Sequence, residues 1–105
     1  MLLVNPVARA EMIALYVWYE TEGGYELAER FFAMADAVMR DLLTQPGLGR
    51  EWPTRHPRLH GLRKANVTKP FGNVLIFYLV SQARIEVVRV LHAQRDIDAL
   101  LDADG

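Results

Sequence analysis

The stretch Ile85-Glu86-Val87-Val88-Arg89-Val90-Leu91-His92-Ala93-Gln94-Arg95-Asp96-Ile97 decides the fold of this chain. Its first half is rich in β-branched residues and predicts a strand from Arg84 to His92. The Arg-Asp step that follows opens a short apolar helical turn, which Asp96 is well placed to cap. The stretch therefore predicts a sheet strand that ends at a Leu-His step, followed by a short helical turn.

Two further strands precede this one along the chain. Asn73 to Val80 is apolar on both faces, which predicts a central strand. Ser81-Gln82-Ala83 is short enough for a hairpin loop, so the two strands that flank it should pair antiparallel. Leu59 to Val67 predicts the first strand of the set. The second half of the chain is therefore expected to form a three-stranded antiparallel sheet.

The first half of the chain predicts a helical hairpin. Helical spacing begins at Pro6, a residue suited to the first helical position, and Glu22-Gly23-Gly24 ends that helix. Tyr25 to Leu43 predicts a second helix with an apolar stripe at steps of three and four residues. This stripe is formed by Leu27, Phe31, Ala35, Val38 and Leu42.

These elements predict an α+β fold of two layers. An N-terminal antiparallel helical hairpin should pack on a small twisted antiparallel β-sheet, and Met1 to Val4 is a candidate edge strand. With 105 residues, 51% of them hydrophobic and 24% charged, the chain is expected to form a single domain over residues 1–105.

The amino-acid composition excludes several classes of site and of protein. The absence of cysteine excludes disulfides, thiolate chemistry and cysteine-based zinc sites. No apolar run approaches the roughly 20 residues that cross a bilayer, and the first residues do not resemble a signal peptide. We therefore expect a cytoplasmic protein with no cofactor, no metal ion and no membrane partner.

The formal net charge of −1 hides an asymmetry along the chain. Residues 1–49 carry a net charge of −4, residues 50–95 carry +7, and the last ten residues carry −4. Such a division can present a positive face to an acidic partner, or the acidic helices and the basic sheet can satisfy each other. The four aspartates at the end of the chain are expected to form a solvated tail: Asp96, Asp98, Asp102 and Asp104.

Arg89 is the unusual residue of the last predicted strand. Strict alternation would place it on one face with Ile85, Val87 and Leu91. Because an unpaired buried guanidinium is costly, Arg89 should either pair with a carboxylate or line an open groove. The carboxylate would come from Glu86 or from an acid of the helices.

The histidines and large aromatic residues offer further candidates. Pro57 prevents His56 and His60 from sharing a helical face, so a metal site there is disfavoured. His92 is either a general acid–base residue or a ring that caps the sheet. Candidate exposed anchors for a partner are Trp18, Tyr19 and Trp52.

In order and spacing, the chain resembles toxins of the ParE/RelE superfamily, and in particular the ParE branch. The resemblance covers nearly the whole length and rests on a series of short phrases. They are Asn5-Pro6, Ala28-Glu29-Arg30-Phe31, Gln45-Pro46-Gly47-Leu48-Gly49, Gly61-Leu62-Arg63, Val74-Leu75-Ile76-Phe77-Tyr78 and Arg89-Val90-Leu91-His92-Ala93-Gln94-Arg95-Asp96-Ile97.

The resemblance implies the toxin of a type II toxin–antitoxin system. A ParD-like antitoxin would fold its C-terminal segment onto an apolar and basic groove of the toxin, giving a hetero-oligomer that reaches operator DNA only through the antitoxin. ParE-like members poison DNA gyrase by protein–protein binding, whereas RelE-like members cut mRNA in the ribosome. Because both share one fold, the fold does not decide between them.

The two activities would use overlapping residues. The candidate antitoxin- or target-binding residues are Trp18, Tyr19, Arg63, Arg89, His92 and Arg95. In an endoribonuclease, phosphate and proton transfer would involve Arg63, Lys64, Arg89, His92 and Arg95.

The sequence favours the gyrase inhibitor, which is not an enzyme. No tyrosine follows His92, the tail is acidic, and Val74 stands where RelE carries a basic residue. The alternatives are the ribosome-dependent nuclease and a toxin that keeps antitoxin binding without activity. The second alternative follows from Leu79, which stands where ParE relatives commonly have arginine.

Overall fold

The chain folds as a helical hairpin and a short C-terminal helix, which lie on opposite faces of a five-stranded sheet. The computed structural model describes residues 1–104. In chain order the elements are β1 (Leu2–Val4), α1 (Pro6–Thr44), β2 (Arg50–Glu51), a 3₁₀ turn (Pro57–Leu59), β3 (Arg63–Asn66), β4 (Val74–Ser81), β5 (Arg84–His92) and α2 (Ile97–Asp104). The α+β class and the packing of helices on a sheet are confirmed. Neither helix is long and apolar enough to cross a membrane.

The predicted helical hairpin is the single element α1, divided at Gly24. Gly24 has φ +88° and ψ 176°, a conformation that glycine adopts without steric cost and that reverses the helix. At its start, the Asn5 side-chain oxygen accepts a hydrogen bond from the Val7 amide at 2.8 Å, and Pro6 occupies the first turn. Both predicted helix boundaries in this region therefore have local chemical causes.

The sheet is mixed, with the strand order β1-β5-β4-β3-β2. The β4–β5 hairpin turns through Gln82 and Ala83, whose positive φ values of 31° and 60° resemble those of a type I′ turn. We expected an antiparallel sheet, but β1 pairs with β5 in parallel, with Leu2 opposite Ile85. A parallel neighbour needs a long crossover, and the whole segment from α1 to β4 supplies it.

The helical hairpin covers one face of the sheet. Its buried residues include Ala8, Phe31 and Leu42, which pack on Val74, Ile76 and other sheet residues. Tyr19 extends this core, because its ring lies 4.8 Å from the ring of Phe31. Burial of this apolar surface holds the two layers together.

The second face of the sheet has its own core, which the sequence did not indicate. It is formed by Leu59, Leu62, Leu75, Phe77, Val88, Leu91, Ile97 and Leu101. The C-terminal segment is therefore not a solvated tail, since α2 buries Ile97 and Leu101 against the sheet. Asp98 and Asp102 are exposed, whereas the side chain of Asp104 lies outside the described part of the chain. The predicted cap is confirmed, because Asp96 Oδ1 accepts from the Ala99 amide at 3.3 Å.

Two local irregularities alter the predicted strands. The strand predicted from Leu59 to Val67 is observed as the shorter β3, Arg63–Asn66. It is shorter because Leu59 ends a 3₁₀ turn and Gly61, at φ +83°, redirects the chain into β3. In β5, a register shift makes Phe77 pair with Arg89 while Tyr78 pairs with Val87. This bulge places Val87 and Arg89 on opposite faces, against the strict alternation that we expected.

Tyr78 anchors the loop that follows α1. Its buried hydroxyl accepts a hydrogen bond from the Gly49 amide and donates one to the Pro46 carbonyl, both at 2.8 Å. A Cβ at Gly49 would lie 2.7 Å from this hydroxyl and 2.5 Å from the Lys64 carbonyl oxygen. The conformation of the Pro46–Gly49 loop therefore depends on one phenol and on the lack of a side chain at residue 49.

Replacement of Tyr78 by phenylalanine should destabilise the fold. The change leaves the aromatic packing intact but removes a partner from two backbone groups, which should lower the free energy of unfolding by about 1–3 kcal/mol. Urea unfolding followed by circular dichroism measures the effect. Tyr25→Phe, at an exposed tyrosine of α1, is the matched control and should change stability by less than about 0.5 kcal/mol. Equal stability of the two variants would contradict the anchoring role.

Candidate functional site

An apolar groove runs between the two halves of α1. It consists of two adjoining hollows of about 320 and 290 Å³ that share Arg9, Met12 and Phe32. The first hollow is completed by Ile13, Tyr16 and Glu29, and the second by Val4, Asp36 and Met39. We call this surface the hairpin groove.

Large apolar side chains stand exposed along the hairpin groove and beside it. Ile13 is 60% exposed and Phe32 is 50% exposed, and Val17 lies one turn further along the same half of α1 with 52% exposure. Single exposed apolar residues are ordinary, but several around one groove mark a surface that binds a partner. The hairpin groove is therefore the strongest candidate for a protein-binding site.

Tyr16 and Glu29 bridge the two halves of α1 at one end of the groove. The Tyr16 hydroxyl donates a hydrogen bond to a carboxylate oxygen of Glu29. This bond, aided by some burial and by nearby negative charges, raises the pKa of Tyr16 to about 12. The hydrogen bond therefore connects the two halves of α1 beside the first hollow.

The helical hairpin that forms the hairpin groove carries seven carboxylates and three arginines, a net charge of −4. The hairpin carries all seven carboxylates of residues 1–49, and those that are exposed are Glu20, Glu22, Glu26, Glu29 and Asp41. Its only cations are Arg9, Arg30 and Arg40, and Arg40 is bound to Asp36 at 2.7 Å. The resemblance led us to expect an apolar and basic groove, and Arg9 is the cation that lines both hollows of the hairpin groove.

A second groove brings together three of the predicted binding residues. Trp18, His92 and Arg95 line a hollow of about 430 Å³ together with Leu15, Asn73 and Gln94. The Trp18 side chain is half exposed, whereas neighbouring Tyr19 packs inward against Phe31 and Phe71. Tyr19 therefore supports Trp18 from below, their rings meeting edge-on at 5.0 Å.

His92 lies at the end of β5 and takes part in a local turn. Its Nδ1 accepts a hydrogen bond from the Gln94 amide at 3.2 Å, which leaves Nε2 as the protonated nitrogen of the neutral ring. The ring is half-buried beside exposed Arg95. His92 and Arg95 thus form a small polar pair next to the indole of Trp18.

Arg63 and Lys64 lie on a different part of the molecule. Arg63 Nε donates to the Gly49 carbonyl at 3.0 Å, and Lys64 Nζ donates to Asn66 Oδ1 at 2.9 Å. Neighbouring strand residues point to opposite faces, so these two cations do not share a surface. Arg63 on β3 lies opposite Tyr78 of β4, and His92 on β5 lies opposite Val74 of β4. Arg63 and His92 are therefore separated by two strand spacings across the sheet and by four residues along it, or roughly 16 Å.

Arg89 is buried in an ion pair with Glu11. Its Nη2 lies 2.6 Å from Glu11 Oε2, and its Nη1 donates to the Leu100 carbonyl of α2 at 3.0 Å. Glu11 Oε1 also accepts the Val90 amide at 2.9 Å. The expectation that Arg89 pairs with a carboxylate is confirmed, and the partner comes from α1 rather than from Glu86.

Sequence reasoning missed the hairpin groove and the role of Glu11. Ile13 and Phe32 lie on the two predicted helices, where helical spacing alone does not distinguish a groove residue from a core residue. The available signal was that both halves of α1 carry more apolar residues than one buried face requires. Within residues 1–104, no group of three or more acidic or histidine side chains is placed to hold a metal ion.

Comparisons with known proteins give one family match and a structural match to a solved chain. The family model described as "ParE toxin of type II toxin-antitoxin system, parDE" matches residues 2–97. A solved structure titled "Chromosomal ParDE TA system from P. aeruginosa" contains a chain that superposes with a TM-score of 0.69 at 22% identity, covering 87% of this chain and 92% of that one. No curated protein matches the sequence significantly.

Replacement of Glu11 by alanine should strongly destabilise the protein. It leaves the guanidinium of Arg89 buried without its carboxylate and the Val90 amide without its acceptor, at a cost of about 3 kcal/mol or more. Urea unfolding at neutral pH measures the loss. Glu20→Ala, an exposed carboxylate on the same half of α1, should stay within about 0.5 kcal/mol of the unaltered chain. A loss of equal size in both variants would show that the ion pair has no special role.

Proposed function

Because the chain belongs to the ParE toxin family of type II toxin–antitoxin systems, we propose that it acts by binding proteins. Its target is DNA gyrase, and a ParD-like antitoxin neutralises it in a hetero-oligomer. Contact with operator DNA occurs only through the antitoxin. The observation that carries this proposal is the family match over residues 2–97, and the exposed hairpin groove supports it.

The hairpin groove is the proposed antitoxin site. A groove with Ile13 and Phe32 exposed suits an amphipathic helix that inserts apolar side chains at three- and four-residue spacing. Carboxylates such as Glu20 and Glu26 are exposed on the same hairpin. The antitoxin helix should therefore carry lysine or arginine beside its apolar stripe, since opposite charges at the rim favour the correct orientation.

The second groove is the proposed target-facing surface. Trp18, His92 and Arg95 meet there, and an exposed tryptophan beside an arginine is a frequent combination in protein-binding hot spots. Tyr19 contributes indirectly by holding Trp18 in place. Arg63 lies outside this groove, so in this proposal it would contact a partner at a separate point, at the other end of the sheet.

The distribution of cations supports protein binding over nuclease chemistry. An endoribonuclease needs several basic side chains around one phosphate, both to stabilise charge and to move a proton. Here Arg89 is paired with Glu11, and Arg63 and Lys64 point to opposite faces of β3. Of the five candidate residues, His92 and Arg95 share a groove, and Arg63 lies roughly 16 Å from His92.

Addition of the purified, antitoxin-free protein to DNA gyrase, supercoiled plasmid and ATP tests the proposed activity. We expect loss of supercoiling and an accumulation of cleaved linear DNA, both reversed by the antitoxin. The absence of any effect at stoichiometric excess would refute the gyrase proposal. Ribosome-dependent mRNA cleavage that His92→Ala and Arg95→Ala abolish would then establish the nuclease.

Substitution of Ile13 or Phe32 by aspartate should weaken antitoxin binding about 100-fold or more. Each change loses buried apolar surface and places a carboxylate in an apolar contact, a combined cost of about 3 kcal/mol. Both side chains are at least half exposed in the free protein, so its thermal stability should change little. Leu48→Asp, at an equally exposed leucine outside the groove, is the control and should bind normally. Unchanged affinity of the groove variants, measured by calorimetry, would place the antitoxin elsewhere.

A further inference from the structure

The second groove has fixed walls on both sides. On one side, the ring of Tyr19 packs against Phe71 and meets the ring of Trp18 edge-on. On the other side, the Asn73 carbonyl accepts a hydrogen bond from the Ala93 amide at 2.7 Å, which joins the loop before β4 to the turn after β5. Because both walls are held in place by the fold, a partner that binds here has little to order.

The polar side chains of the second groove are mainly hydrogen-bond donors. His92 keeps an Nε2–H, because its Nδ1 accepts the Gln94 amide, and Trp18 carries an indole N–H. The guanidinium of Arg95 makes no hydrogen bond or ion pair within the part of the chain that the structure describes. No described residue that lines the groove is acidic. A ligand that fits must therefore supply acceptors and, beside Arg95, a negative charge.

Leu15 and Trp18 give the same groove an apolar side. They are three residues apart on α1, so they lie on one face of the helix. Leu15 is partly buried and Trp18 is half exposed. A small inorganic anion would leave this apolar surface in water, so the occupant should combine an acceptor group with an apolar one.

The charges near the groove favour a single carboxylate over a chain of phosphates. Glu22 is exposed one helical turn after Trp18, and Asp96 is exposed directly after Arg95. A polyanion such as DNA needs several cations along its path, and these two carboxylates would repel it. A lone carboxylate can approach Arg95 closely, where the guanidinium can bind it through two parallel hydrogen bonds.

We propose that the second groove binds a peptide segment of the target protein in which an aspartate or glutamate lies next to an apolar side chain. The inference rests on the proposed function, because it names the chemistry of the gyrase segment that this surface recognises. The carboxylate pairs with Arg95 and accepts the Nε2–H of His92. The apolar neighbour packs on Leu15 and Trp18, so the polar pair and the indole together fix the orientation of the segment.

Charge reversal at Arg95 tests the pairing with the target itself. Arg95→Glu should weaken binding of the antitoxin-free protein to DNA gyrase about 100-fold, because repulsion of the same carboxylate replaces attraction. Arg84→Glu makes an equal change of net charge at the other end of β5 and should stay within about threefold of the unaltered chain. Both arginines are exposed, so the melting temperatures of the two variants should agree. Surface plasmon resonance with immobilised gyrase measures the affinities.

The same measurement with and without DNA separates a carboxylate from a phosphate. If the groove binds a protein segment, Arg95→Glu lowers the affinity for gyrase by the same factor in both conditions. A loss that occurs only when gyrase holds DNA would assign the groove to nucleic acid and overturn the inference.

Two synthetic peptides test the chemistry of the groove without gyrase. N-acetyl-leucyl-glutamate amide and N-acetyl-leucyl-glutamine amide differ only in the carboxylate, and each is titrated at millimolar concentration into the unaltered protein. Nuclear magnetic resonance of the Trp18 indole N–H and the His92 ring reports binding. We expect the acidic peptide to bind about tenfold more tightly, and to lose this preference in Arg95→Gln. Equal affinities, or no shift of either signal, would overturn the inference.

The combined outcomes distinguish failure of this inference from failure of the proposed function. If gyrase binds the unaltered protein but Arg95→Glu and Arg84→Glu bind equally well, the gyrase target stands and the groove assignment fails. If gyrase does not bind the unaltered protein but the acidic peptide is preferred, the gyrase target fails and the groove chemistry stands for another acidic partner.

Discussion

The contact between Glu11 and Arg89 is the interaction on which the rest of this structure depends. Glu11 lies on α1, which covers one face of the sheet, while Arg89 shares the other face with Phe77 and also binds a carbonyl of α2. One ion pair thus connects both helices to β5. Because burial of either charge without its partner is costly, the two helices and the strand are held in one arrangement.

This arrangement separates the functional surfaces by charge and by polarity. With α1 fixed at both the Gly24 kink and Glu11, the hairpin groove lies between its halves, lined by apolar side chains and Arg9, on a hairpin whose net charge is −4. The basic residues lie on the sheet and its loops. An antitoxin that covers both the groove and the basic surface would therefore need segments of opposite character, which an extended, flexible chain provides more easily than a preformed domain.

Much of the fold was predictable because local chemistry determines it. The strand from Arg84 to His92, the helix start at Pro6 and the reversal at Gly24 follow from β-branched residues, proline and glycine. The bulge opposite Phe77 and the parallel pairing of β1 were not predictable, since they depend on contacts between distant segments. The site was predicted only in part: Trp18, His92 and Arg95 do share a groove, but nothing in the spacing distinguished Phe32 from core residues.

The contacts of the basic side chains help to explain why this fold suits protein binding better than RNA cleavage in this chain. Arg89 holds two helices, Arg63 binds the Gly49 carbonyl of the loop that Tyr78 anchors, and Lys64 binds a neighbouring side chain. A guanidinium held by a buried carboxylate or a loop carbonyl is not available to a phosphate unless that contact breaks, which would destabilise the fold. Chemistry on RNA would therefore compete with stability in this chain. Protein binding through Trp18 and the hairpin groove does not, because those side chains are exposed and their burial by a partner is favourable.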